Sequence, residues 1–184
     1  VTVDGQASTA ATTAYGKPRI TSIGGLGAYN ASTYGGDEVT LTGVNFGPRK
    51  GAGATGNSSF LEAVTYGRGG SEFVAEGCTI SVEHVEIVCR TVPGIGTELL
   101  WVVTVGGQSS EASESPVGGY APPRLAGVTP ERINTVGGTR HFVNGTNLGM
   151  ASADAFFRLF LDDKLLLVDG RVVKTVYPAT SDLM

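Results

Sequence analysis

Cys78 and Cys89 are the only two cysteines among 184 residues, and their flanks decide what chemistry they can do. Cys78-Thr79-Ile80-Ser81 and Val85-Glu86-Ile87-Val88-Cys89 both read as strands. Adjacent antiparallel strands joined by a short turn would bring the thiols within bridging distance. In an oxidising compartment, closing such a loop contributes roughly 3 kcal/mol. Two buried free thiols in a reduced compartment are the alternative. A metal is disfavoured, because only His84 stands near and no third cysteine completes a ligand set.

The other reactive side chains are poorly grouped. His84 and His141 each stand apart from any Ser or Cys in a nucleophile elbow, and read as strand or turn residues. Gly51-Ala52-Gly53-Ala54-Thr55-Gly56 matches G-x-G-x-x-G. Pro48-Arg49-Lys50 precede it where a dinucleotide site needs a buried strand, so it reads as a flexible loop. Asp162-Asp163, with Asp154 and Asp169 nearby, suggests calcium. Lys164 follows directly and Asp favours turns, so a hairpin turn is the better reading. No carboxylate pair is framed to tune its acidity for hydrolysis. The expectation is a protein that is not an enzyme, with no catalytic residue, no metal and no cofactor.

Three sequons, Asn30-Ala31-Ser32, Asn57-Ser58-Ser59 and Asn144-Gly145-Thr146, are acceptors for N-linked glycans. Asn30 and Asn57 fall in long, polar, Gly-rich loops. Asn144 is expected at a strand end, before a tight turn.

The elements that must position these residues are short strands. Glu38-Val39-Thr40-Leu41-Thr42 alternates polar and apolar, as a half-buried strand does. Further strands follow at Ala63 to Tyr66, Phe73-Val74, Cys78 to Ile80, Glu86 to Cys89 and Leu99 to Val105. In the last of these Leu99, Trp101, Val103 and Val105 share one face, which makes Trp101 a packing anchor. About seven short strands in about 100 residues point to a β-sandwich.

The pattern repeats. Val1-Thr2-Val3-Asp4-Gly5-Gln6-Ala7-Ser8 recurs as Val103-Thr104-Val105-Gly106-Gly107-Gln108-Ser109-Ser110, displaced by 102 residues. Tyr15-Gly16-Lys17-Pro18-Arg19-Ile20 answers to Tyr120-Ala121-Pro122-Pro123-Arg124-Leu125. Gly43-Val44-Asn45-Phe46-Gly47 answers to Gly145-Thr146-Asn147-Leu148-Gly149. A fixed period of this kind marks tandem units. Strands are expected again at Arg124 to Val128, Thr139 to Asn144, Phe156 to Leu161, Lys164 to Val168 and Arg171 to Tyr177, with no counterpart of Leu99 to Val105.

Composition narrows the function classes. Hydrophobic residues make up 41% and charged residues 16%, with 28 glycines, which suits Val-rich strands between polar turns. The formal net charge of −4 and scattered basic residues weigh against a nucleic-acid partner. No run of 18 apolar residues is present, so direct membrane insertion is not expected. Without an initiating Met, the sequence reads as a processed or excised segment.

Residues 18 to 120 resemble the IPT/TIG family of immunoglobulin-like domains. The resemblance rests on Pro18-Arg19-Ile20-Thr21-Ser22-Ile23, on the segment from Gly35-Gly36 to Gly47, on Val64-Thr65-Tyr66-Gly67, on the spaced Cys78 and Cys89, and on Val92-Pro93-Gly94 before Val102-Val103-Thr104-Val105. Residues 122 to 184 match in the first half only and lack cysteines. The family implies all-β, tandem immunoglobulin-like sandwiches. Its members serve as extracellular modules in plexins, growth-factor-receptor ectodomains and fibrocystin-like proteins, as dimerisation domains of Rel-type transcription factors, and as accessory domains of polysaccharide-degrading enzymes.

The expected organisation is therefore a closing strand plus linker over 1–17, a complete domain over 18–120 and a second, incomplete domain over 121–184. Val1, Thr2 and Val3 are the expected donors of strand complementation, completing the last domain of another copy or of a further repeat. The function expected is that of a secreted, glycosylated structural protein of a fibre, coat or adhesive ectodomain. A ligand-binding receptor ectodomain is the alternative, as is a carbohydrate-binding module with Tyr29, Tyr34 and Tyr66 as candidates, of which Tyr66 reads as strand packing.

Overall fold

The computed structural model describes residues 2–8, 14–49, 60–114, 117–132, 136, 142–149, 159–161 and 164–166. The chain opens with a small hairpin of β1 (Thr2–Val3) and β2 (Gln6–Ala7). It continues through β3 (Arg19–Gly24), a single helical turn α1 (Leu26–Tyr29), β4 (Glu38–Val44) and β5 (Leu61–Gly67). Next come β6 (Phe73–Val74), β7 (Glu76–Val82), β8 (Glu86–Arg90) and β9 (Thr97–Val105). After these lie β10 (Gln108–Ser109), β11 (Val117–Gly119), β12 (Arg124–Thr129) and β13 (Phe142–Thr146). The last described strands are β14 (Leu159–Leu161) and β15 (Lys164–Leu166).

Two antiparallel sheets form the sandwich between residues 19 and 120. One has the order β3-β4-β8-β7; the other has β10-β9-β5-β6, with β11 also paired to β9. The period-2 pattern explains why they face each other. Val39 and Leu41 of β4, Ile87 and Cys89 of β8, Val64 and Tyr66 of β5, and Leu99, Trp101 and Val103 of β9 all turn inward. These residues form one contiguous core, with Trp101, Tyr66 and Phe46 the largest fully buried side chains. The alternation read in the sequence thus selects the core face correctly, Trp101 included.

Three expectations are corrected. Leu99 to Val105, expected from its repeat mate at Val1 to Val3 to be the closing strand of the unit, is not the last one, since β10 and β11 follow on the side of β9 away from β5. There the last strand departs from the ladder, and serine hydroxyls stand in for its carbonyls. Val103 N–H donates to Ser110 Oγ (3.0 Å) and Trp101 N–H to Ser113 Oγ (3.2 Å), both inside the protein. The segment before Asn30 is not simply a loop but the helical turn α1. Asn144 lies within β13, opposite Gly127, rather than at a strand end.

The same local geometry occurs twice at two places in the chain. Thr2 and Val3 pair with Ala7 and Gln6, as Thr104 and Val105 pair with Ser109 and Gln108. Both hairpins turn on two residues of positive φ, Asp4 (49°) and Gly5 (78°) in one, Gly106 (56°) and Gly107 (74°) in the other. Asn and Gly tolerate this conformation and Asp follows them, which suits these residues to the turns. Likewise β3–β4 and β12–β13 share a register, with an irregularity one residue after Ile20 and after Leu125. β14 and β15 pair antiparallel, Leu161 with Lys164.

Candidate functional site

Cys78 and Cys89 form a disulfide across β7 and β8, with Cα atoms 4.1 Å apart and 11 residues of separation. Cys89 is fully buried and Cys78 packs on the same core. Thr79 pairs with Val88, so the next residues along the two strands are Cys78 and Cys89, and the β7–β8 register shifts between Thr79 and Glu76. The bridge lies in the inner layer and is part of the scaffold.

The histidine placed near it has a structural role. His84 occupies the β7–β8 turn at φ 63°; its N–H donates to Gly47 O, and its carbonyl accepts from Phe46 N–H. His141, the Gly51–Gly56 motif, Asp154, Asp162-Asp163, Asp169 and Arg171 to Tyr177 lie outside the described residues. Among the described residues, no three His, Cys, Asp or Glu side chains converge as a metal would require, and no helix is long and apolar enough to cross a membrane.

A column of aromatic rings fills the end of the sandwich where the chain leaves it. Tyr66 stacks on Trp101 with ring centroids 4.3 Å apart and leans against Phe73 at 5.1 Å. Tyr120 closes the column, its hydroxyl 2.7 Å from that of Tyr66 and donating to Val92 O at 2.5 Å. Tyr66 Oη accepts the Val92 N–H at 2.9 Å. Burial raises the pKa of both phenols above the ordinary tyrosine value, so both stay neutral. For Tyr120 the bond to Tyr66 pushes in the same direction. Tyr66 is thus a core residue, which removes it from any carbohydrate platform. Tyr29 and Tyr34 remain exposed, and Tyr29 donates its hydroxyl to Ile23 O at 2.8 Å.

Sequence reasoning used Tyr120 only as the repeat mate of Tyr15. Neither its burial nor its hydrogen-bond partners could be inferred from its place before a strand, because Tyr15 holds the equivalent place. The two tyrosines differ sharply in environment: Tyr120 is 4% exposed and Tyr15 is 93% exposed.

The N-terminal donors divide. Val1 lies outside the described residues, Thr2 and Val3 pair within their own hairpin, and Val3 is 69% exposed while its mate Val105 packs against the core. Among the sequons, Asn30 and Asn144 are both exposed and Asn57 lies outside the described residues.

Each repeat also carries the same asparagine clamp. Asn45 (φ 62°) donates its Nδ2 to Lys17 O at 3.0 Å, and Asn147 (φ 55°) donates its Nδ2 to Pro122 O at 3.3 Å. The clamp ties the turn after one strand to the residues that precede its neighbour. Close approach accompanies it: a Cβ on Gly43 or Gly145 would sit 2.1 Å from the carbonyl oxygen of Arg19 or Arg124.

A family model described as IPT/TIG domain matches residues 18–116, more than half of the chain. No curated protein matches it.

Proposed function

Since the chain belongs to the IPT/TIG family, we propose that it is a non-catalytic module of a secreted structural or adhesive protein, arrayed with further units of its own kind. Domain boundaries at 17/18 and 120/121 accompany this reading. The observation that carries it is the hairpin of Thr2 to Ala7. It has the register and positive-φ pair of the hairpin that ends the sandwich over 18–120. Val3 and Tyr15 nevertheless stand in solvent, whereas Val105 and Tyr120 reach the core. The hairpin of Thr2 to Ala7, and Tyr15 after it, thus have the features of the last strands of another sandwich.

The β3–β4 register repeated in β12–β13 supports a further unit from residue 121. The disulfide and the three sequons support passage through an oxidising, glycosylating compartment. The strands that cover Val3 and Tyr15 come either from a neighbouring unit of the same polypeptide or from a second copy, head to tail.

Light scattering after size exclusion, over a wide concentration range, distinguishes the two. Head-to-tail complementation gives open oligomers that grow with concentration and shorten when Tyr15→Ser and Val3→Asp are introduced. A monomer at every concentration refutes the polymer and leaves the neighbouring unit as the source.

A further inference from the structure

Asn30 is exposed at the C-terminal cap of α1, and the turn it caps carries two exposed large apolar residues. The helical turn is pressed onto the sandwich by its small residues, Gly27 and Ala28, which are both buried. A Cβ at Gly27 would meet Val39 Cγ2 at 2.6 Å and Asp37 O at 2.9 Å, so the turn cannot roll to hide its other face. Leu26 and Tyr29 are consequently left 62% and 60% exposed. Asn30 caps the C-terminal end of this turn: its N–H donates to Leu26 O at 3.1 Å and its own backbone is non-helical (φ −156°, ψ 47°), so the exposed Asn30 follows directly on the turn that carries Leu26 and Tyr29.

The position is also fixed from the other side. Ala31 N–H donates to Gly119 O at 2.9 Å and Ala31 O accepts from Ala121 N–H at 2.7 Å, a parallel bridge to the segment that leaves the sandwich. Tyr120 between them is anchored in the aromatic column. Asn30 is therefore held rigidly at the junction between the sandwich and the residues that follow.

We propose that Asn30 carries an N-linked glycan whose first sugars lie over Leu26 and Tyr29, so that the covalent modification covers the apolar face of α1. The step is group transfer from an oligosaccharide held on a lipid diphosphate. Asn30 Nδ2 forms a bond to the anomeric carbon, the bond from that carbon to the diphosphate oxygen breaks, and the amide proton leaves. Ser32 supplies the hydroxyl of the sequon. A sugar's C–H faces suit an aromatic or aliphatic surface, and a glycan adds solubility where apolar area would otherwise be bare. The proposal rests on secretion, the reading given above.

The test uses the full chain secreted from a eukaryotic cell line, with Asn30→Gln, Ser32→Ala and Asn144→Gln variants. Peptide mapping after amidase treatment, which converts a glycosylated Asn to Asp, reports each site, and thiol alkylation reports the disulfide. The expected result is conversion at Asn30, lost in both the Asn30→Gln and Ser32→Ala variants and kept in Asn144→Gln. Removal of the glycan should raise binding of an apolar dye, and Leu26→Ser should lower that rise. An unconverted Asn30 in a chain with an oxidised Cys78–Cys89 pair overturns the site while leaving secretion intact. Free thiols with no converted asparagine overturn both. Conversion at Asn30 with unchanged dye binding overturns the covering role.

Discussion

At the scale of single residues, the Tyr66–Tyr120 pair does more than fill space. Tyr66 Oη accepts from the Val92 N–H while the Tyr120 hydroxyl donates to the Val92 carbonyl, so one backbone unit is gripped at both of its polar groups. Removing the first acceptor leaves an N–H without a partner, which costs about 1–3 kcal/mol. Removing the second leaves a carbonyl that the Tyr66 hydroxyl, 3.5 Å away, can approach. Tyr66→Phe should therefore lower the urea-unfolding free energy more than Tyr120→Phe does. Alkali provides an independent check. Both phenols titrate above their unfolded value of about 10. The unfolded chain then releases protons that the folded chain retains, so stability is intact below pH ~10 and falls as pH rises beyond it. Tyrosinate absorbance should show two tyrosines ionising only with unfolding, and Tyr120→Phe should leave one such group.

At the scale of elements, two devices hold strands in register. The first is the disulfide between β7 and β8, which closes a short loop and contributes roughly 3 kcal/mol by restricting the unfolded chain. A reducing agent should lower the denaturation midpoint of the native chain and leave a Cys78→Ala/Cys89→Ala variant unaffected, as measured by tryptophan fluorescence of Trp101. The second is the crossing at Gly43, where a side chain would strike the Arg19 carbonyl and lie 2.4 Å from Phe46 Cζ. Gly43→Ala should destabilise by about 1–3 kcal/mol, because both contacts belong to paired or core residues that cannot withdraw. Equilibrium unfolding with a substitution elsewhere in the same strand, Thr42→Ser, as control would measure it; a loss no larger than that of the control would refute the steric argument.

At the scale of the whole molecule, the core defines the unit. Among the described residues, every member of the core cluster falls between Ile20 and Tyr120, and both sheets of the sandwich lie within that span. Excised residues 18–120 should therefore unfold in one cooperative transition, with a calorimetric enthalpy equal to the van't Hoff value. Broad or sequential melting would show that residues outside the span supply part of the core.

Much of this architecture was legible because it is written in local signals. Alternation in Glu38 to Thr42 and Leu99 to Val105 named the strands and their inward faces, whereas the hairpin turns at Asp4-Gly5 and Gly106-Gly107 went unread and those residues served only to mark the repeat. The facing cysteines followed from two strand-like flanks and a short turn. Other features carry no local signal. The helical turn at Leu26 has no side-chain cap and only four residues, so its stability comes from Gly27, seated against Val39 and Thr91, and from the buried Ala28. Ser110 and Ser113 look like linker polar residues until the last strand leaves the ladder and its neighbour's N–H groups need acceptors. Tyr15 and Tyr120 are alike as letters, yet one lies in solvent and the other in the core, because burial depends on which strands are at hand to surround a ring. Periodicity and turn chemistry act through neighbours in the chain and need nothing further, whereas burial and hydrogen-bond partnership are relations across the sandwich that exist once both sheets have come together.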